Sequence, residues 1–110
     1  DDAGFPVGAG WDDVRVPGLR DENVYCLQIA GDSMSPVLRA GDKVLVAPNE
    51  TVRRGDRVVV KTNEGEIMAK ELSVISQTRI ELISLNPEYD DRGFAREDIQ
   101  WIARIVWVSQ

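Results

Sequence analysis

The feature that most constrains this chain is the repeated interruption of its apolar pattern. From Val24 onward, short apolar runs alternate with clusters of Gly, Pro, Asp, Asn and Ser. VYCLQIA (24–30), KVLVAP (43–48), RVVVKT (57–62), EIMAKELSV (66–74), TRIELISL (78–85) and WIARIVWVS (101–109) each have strand length and strand composition. RRGD (53–56) supplies a turn, and NEG (63–65) carries the hairpin chemistry that joins the runs on either side of it. SPVLRAGD (35–42) reads as a turn of helix ending at Gly41, NPEYDDRG (86–93) as a polar loop, and AREDI (95–99) as a short helical turn. Evenly spaced short strands of this kind predict a mainly β fold. The expected form is a compact, curled antiparallel sheet with one or two short helical turns.

The first 20 residues are different. Gly4, Pro6, Gly8, Gly10, Pro17 and Gly18 break any helical or strand period, so residues 1–20 read as an extended arm and 21–110 as the folded domain. Phe5 and Trp11 could dock the arm on the body, whereas chain ends are commonly poorly ordered. The residues leave both readings open.

Composition excludes several functions. A chain of 110 residues, 43% of them apolar, suits one domain with a modest core. No apolar run approaches the roughly 20 residues that cross a bilayer, and no secretory signal opens the chain, so no membrane partner is expected. The single cysteine, Cys26, excludes an internal disulfide and points to a reducing, cytoplasmic setting. The 19 acidic and 13 basic residues give a net charge of −6. DNA-binding domains usually carry a basic face, so this domain is not expected to grip DNA by itself. The zero histidines matter most. They remove the Ser–His–Asp triad, the Cys–His dyad and the commonest zinc ligand together. Neither a metal nor a cofactor is expected, and nucleophilic catalysis would need Lys, Asp, Glu or an α-amine as its base.

Two residues meet that requirement. Ser33 lies in GDSMSPVLRAGDKVLV (31–46), between a strand and a turn, with Gly31 before it and Pro36 and Gly41 after it. Such a turn exposes the serine oxygen and leaves backbone N–H groups, those of Asp32 and Ser33, to hold an oxyanion. A serine after Asp in a turn also caps helices, so this motif alone does not decide. In EIMAKEL, strand alternation puts Lys70 on the face of Met68 and Leu72 and leaves Ile67, Ala69 and Glu71 on the other. A charged amine is expensive on a buried face, and a neutral amine is the base a serine needs when no histidine exists. The bland reading is a lysine snorkelling from a half-exposed strand. Asp32, Asp42 and Asp56 all fall in turns and read as turn or capping carboxylates. Cys26 reads as a small core residue and Met34 as packed beneath the serine loop.

GDSM-x-P-x-L-x-x-GD, RRGDRVVV, a hairpin strand ending AKEL, and IELISLNPEY occur in that order. Together they resemble the C-terminal domain of LexA, UmuD and the phage repressors, over roughly residues 24–108. The resemblance implies a LexA/signal-peptidase-like sheet and a Ser–Lys dyad of Ser33 as nucleophile and Lys70 as base. It also implies self-cleavage in the arm, where DDAGFP (1–6) matches the family's cut site and makes Ala3–Gly4 the scissile bond. Family members dimerise through this region, and WIARIVWV is apolar on both faces apart from Arg104. A homodimer through Trp101, Ile102, Ala103, Arg104, Ile105, Val106, Trp107 and Val108 is therefore expected. The remaining implications are a RecA-like filament as activator and DNA contact only through an N-terminal domain outside this sequence. Two alternatives stay in view: a non-catalytic dimerisation module, and a soluble fragment of a type I signal peptidase, whose motifs are related.

Overall fold

The computed structural model describes residues 5–6 and 24–109. Eight strands form one sheet in the order β1-β2-β3-β8-β4-β5-β6-β7, with every neighbouring pair antiparallel. They are β1 (Phe5–Pro6), β2 (Tyr25–Gln28), β3 (Lys43–Ala47), β4 (Arg57–Thr62), β5 (Ile67–Ile75), β6 (Arg79–Ile83), β7 (Arg92–Ala95) and β8 (Ile99–Ser109). Strands lie about 4.8 Å apart and a flat sheet layer is about 10 Å thick. The molecule measures 32 × 29 × 25 Å, so the sheet must coil strongly to fill its third dimension. The fold is the mainly β, curled antiparallel sheet that the sequence pattern predicts.

Coiling buries both faces of the central strands. Along β4, Val58 and Val60 enter one core cluster with Met68 and Leu72, while Val59 enters another with Ala69 and Ala103. This is why RVVVKT is a continuous apolar run instead of an alternating one. The β4–β5 hairpin closes through Thr62 N–H to the Glu66 carbonyl at 2.9 Å and Gly65 N–H to the Thr62 carbonyl at 3.0 Å. Gly65 has φ +96°, and no atom lies within 4 Å of where a Cβ would stand. Gly65→Ala should therefore cost about 1–2 kcal/mol through backbone conformation alone. Denaturant unfolding at unchanged m-value would measure it, and a neutral outcome would contradict the hairpin geometry.

Several elements differ from the sequence reading. Residues 35–42 form hydrogen-bonded turns without a regular helix, and only Arg96–Asp98 is helical among the described residues, as one 3₁₀ turn. The end of the polar segment 86–93 enters β7, held by a two-pronged Arg92–Glu66 pair with both contacts at 3.0 Å. The arm supplies a strand, since Phe5 pairs with Gln28 and Pro6 with Leu27; Trp11 lies outside the described residues.

The last strand is central. β8 sits inside the sheet between β3 and β4. Two register shifts, at Leu45/Val46 and at Lys61/Thr62, interrupt its alternation. They let Trp101, Ala103, Ile105 and Val108 face one cluster while Ile99 and Ile102 face the other. Without the shift after Ile105, Trp107 would join the first set; instead it is 55% exposed. Much of the two-faced apolarity of WIARIVWV is thus satisfied within the chain.

Candidate active site

The segment after β2 is folded into a compact loop by its own backbone. Ile29 N–H donates to the Asp42 carbonyl and Gly41 N–H to the Ile29 carbonyl, both at 2.8 Å, which ties the loop's two ends together. Gly41, at φ +94°, makes the closing turn, and the Asp42 carboxylate accepts the Arg39 N–H at 2.8 Å. Inside the loop, Val37 and Leu38 N–H groups both reach the Met34 carbonyl at 2.9 Å. Met34 and Leu38 side chains are 2% and 0% exposed and belong to the cluster of Leu27 and Ile29. The GDSM-x-P-x-L pattern thus has a packing reason: its Met and Leu anchor a turn that carries Ser33 between them and β2.

Lys70 arrives from the middle of β5, opposite Val58 of β4. It is 4% exposed and Ser33 is 1% exposed, which places both among the few buried polar residues of the described chain; the turn buries the serine and does not expose it as the sequence pattern suggests. Met68 and Leu72, on either side of Lys70, are 1% and 0% exposed. Lys70 is therefore not a snorkelling surface lysine. Every buried side-chain nitrogen and oxygen among the described residues has a hydrogen-bond partner.

A third element meets both. The loop after β6 carries Asn86 and Tyr89, and Lys70 Nζ lies 6.0 Å from the centre of the Tyr89 ring. The Tyr89 hydroxyl donates to the Asp32 carboxylate, immediately before Ser33. Asn86 N–H donates to the Ser33 carbonyl at 2.8 Å, and the Asn86 side-chain amide donates to the Asp32 carbonyl at 3.0 Å. The serine turn and the lysine strand are thus joined through one loop. Sequence reading passed Asn86 and Tyr89 over as part of a polar loop, although NPEY belonged to the motif run that carried the family resemblance. Their signal was the order of motifs, not local chemistry.

The other singled-out residues separate cleanly. Asp42 and Asp56 are turn carboxylates; Asp56 accepts the Arg53 N–H at 2.8 Å and pairs with Arg104 at 3.8 Å. Asp32 differs, because its carboxylate bridges to Tyr89 on another loop. Cys26 is a free, half-buried thiol packed beside Val24, Leu45 and Ala47. Ala3 and Gly4 lie outside the described residues, next to the Phe5–Pro6 strand that pairs with β2. No helix among the described residues is long and apolar enough to cross a membrane.

Comparison with known proteins agrees with this architecture. The chain is 37% identical over 71 residues to a LexA repressor of Exiguobacterium sp. (strain ATCC BAA-1283 / AT1b). That match covers 64% of this chain and 32% of the repressor, so the chain spans about a third of that relative's length. The sequence profile of the Peptidase S24-like proteins matches residues 2–106. A match along nearly its whole length makes the chain a member of the Peptidase S24-like family.

Proposed function

We propose that this chain is the self-cleaving and dimerising domain of a LexA-like or phage-repressor-like transcription regulator. The observation that carries the reading is the joint burial of Ser33 and Lys70 on two elements linked by the Asn86–Tyr89 loop. In a chain without histidine, this supplies an alcohol and an amine in a water-poor setting.

In the proposed reaction, Ser33 Oγ attacks the Ala3 carbonyl carbon while the neutral Lys70 amine takes the hydroxyl proton. Backbone N–H groups of Asp32 and Ser33 stabilise the resulting oxyanion. Collapse of the intermediate breaks the Ala3–Gly4 bond, and the Lys70 ammonium returns the proton to the leaving Gly4 amine. A water molecule then attacks the Ala3–Ser33 ester, giving up its proton through Lys70, and releases the Ala3 carboxylate with Ser33 restored. The β1–β2 pairing supports this delivery, because it lays Phe5 and Pro6, the residues that follow Gly4 in the chain, along the strand that leads into the serine turn. In this reading a RecA-like filament favours the docked arm without adding a catalytic group. DNA is bound by a separate N-terminal domain, and two copies pair through β8, where Trp107 is exposed.

The test is incubation of the purified chain followed by mass spectrometry, which should detect a product beginning at Gly4. Ser33→Ala and Lys70→Ala should each abolish that product while leaving thermal unfolding cooperative. A product that persists in either variant would rule out the dyad. A wild-type chain that stays whole would leave only dimerisation as the domain's task.

A further inference from the structure

Self-cleavage needs the Ser33 peptide aimed as well as its hydroxyl placed. In a trans peptide the C=O and N–H point in opposite directions, so whatever holds the Asp32 carbonyl also directs the Ser33 N–H. Asn86 holds it. Its Nδ2 donates to the Asp32 carbonyl at 3.0 Å, and its backbone N–H donates to the next carbonyl, that of Ser33, at 2.8 Å. Two successive carbonyls are thereby drawn toward the Asn86 loop, and the Ser33 N–H is turned to the opposite side.

The carboxamide is itself fixed. Asn86 Oδ1 accepts the Glu88 N–H at 3.0 Å, and the Asn86 carbonyl accepts the Tyr89 N–H at 3.1 Å. With the side-chain oxygen committed to Glu88, only the NH₂ end can face Asp32. Asp at this position would keep the acceptor for Glu88 but oppose a carboxylate to the Asp32 carbonyl. Ala would lose both bonds, and Gln would move the donor by one methylene.

We propose that Asn86 is a positioning residue for the Ser33–Lys70 chemistry, its carboxamide aiming the Ser33 N–H at the oxyanion. The proposal rests on the self-cleavage reading above. Asn86 touches no reacting atom; it acts through the peptide it orients.

The experiment compares the wild-type chain with Asn86→Asp and Asn86→Ala in two assays. One is self-cleavage at Ala3–Gly4. The other is labelling of Ser33 by a small alkyl fluorophosphonate, in which Oγ bonds to phosphorus, fluoride leaves and Lys70 takes the proton. Labelling needs the oxyanion donors but not the arm. Both variants should cut and label about a hundredfold more slowly, the loss expected when a reacting group is displaced by about 1 Å. Asn86→Asp should be as slow as Asn86→Ala, although it preserves the turn. A residue that only shaped the loop would leave Asn86→Asp near wild type in both assays, and that result overturns the proposal. If either variant loses its cooperative melt, Asn86→Gln takes its place under the same comparison. A wild type that neither cuts nor labels overturns the self-cleavage reading and the role of Asn86 together. A wild type that does both, beside an equally active Asn86→Asp, overturns only the role of Asn86.

Discussion

Replacing Lys70 with Met should abolish self-cleavage, and combining it with Ser33→Ala should make the fold more stable than the wild type. Lys70 is 4% exposed between Met68 and Leu72, so its amine has given up most of its hydration on a strand otherwise suited to an apolar side chain. Met has nearly the same length and no polar atom to satisfy. The single substitution removes the amine but leaves its former polar neighbours to find new partners, which limits the gain. The double substitution also removes the buried Ser33 hydroxyl, 1% exposed, and therefore strands fewer groups. Replacement of a buried ion pair by well-packed apolar residues of similar volume is often neutral or stabilising by about 1–4 kcal/mol, and the same desolvation argument applies to a buried amine and hydroxyl. Denaturant midpoints of wild type, single and double variants would measure this, alongside the appearance of the Gly4 product. A double variant clearly less stable than wild type would mean that the pair contributes structural energy, not the strain of a working site. A Lys70→Met chain that still cuts would remove Lys70 from the reaction.

Much of this architecture could be read from residues alone, for reasons that are local. RVVVKT, NEG and EIMAKELSV declare a hairpin because strand period and turn chemistry agree over a short stretch, and β4 and β5 pair across Gly65 as that agreement requires. Buried Lys70 was legible because it interrupts an apolar face, and Met34 because an apolar residue inside a polar turn has to pack somewhere. The misses share one physical origin: they depend on partners distant in sequence. β7 straddles the expected loop, which takes in Arg92 and Gly93, and the expected helical turn, which takes in Ala95; it becomes a strand through pairing with β6 and through the Arg92–Glu66 bridge. The apparent helix at 35–42 gave way to tied turns, since Ile29 and Asp42 fix the ends of that segment. Asn86 was invisible as a functional residue because its bonds go to Asp32 and Ser33 on another loop. The placement of β8 follows the same rule. Sequence shows that WIARIVWV is apolar on both faces, but cannot show whether a second copy or the chain's own strands cover them.

That ambiguity can be resolved with two substitutions in β8, which should behave in opposite ways. Ala103 is 0% exposed, pairs with Val59 and lies in the cluster of Leu27 and Met34. Ala103→Asp would bury a charge with no partner, at several kcal/mol, in a domain whose whole stability is about 5–15 kcal/mol. Its expected outcome is loss of the cooperative melt or loss of soluble protein. Trp107 sits just past the register shift and is 55% exposed, so its removal should leave the single chain within about 0.5 kcal/mol of wild type. Trp107→Glu should instead move assembly: sedimentation at tens of micromolar should shift from dimer toward monomer, because a charge facing its symmetry mate is repelled by an identical charge. A soluble, cooperatively melting Ala103→Asp chain would contradict the central position of β8. A dimer undisturbed by Trp107→Glu would place its contact elsewhere, and a wild-type chain that sediments as a monomer would remove the proposed dimer. The contrast follows from one extra residue in the ladder: by turning Trp107 away from the face that Ala103 and Ile105 share, the shift leaves an indole in solvent on the strand that buries Ala103. An exposed indole on the innermost strand of a sheet is where a second copy would gain most by covering apolar surface.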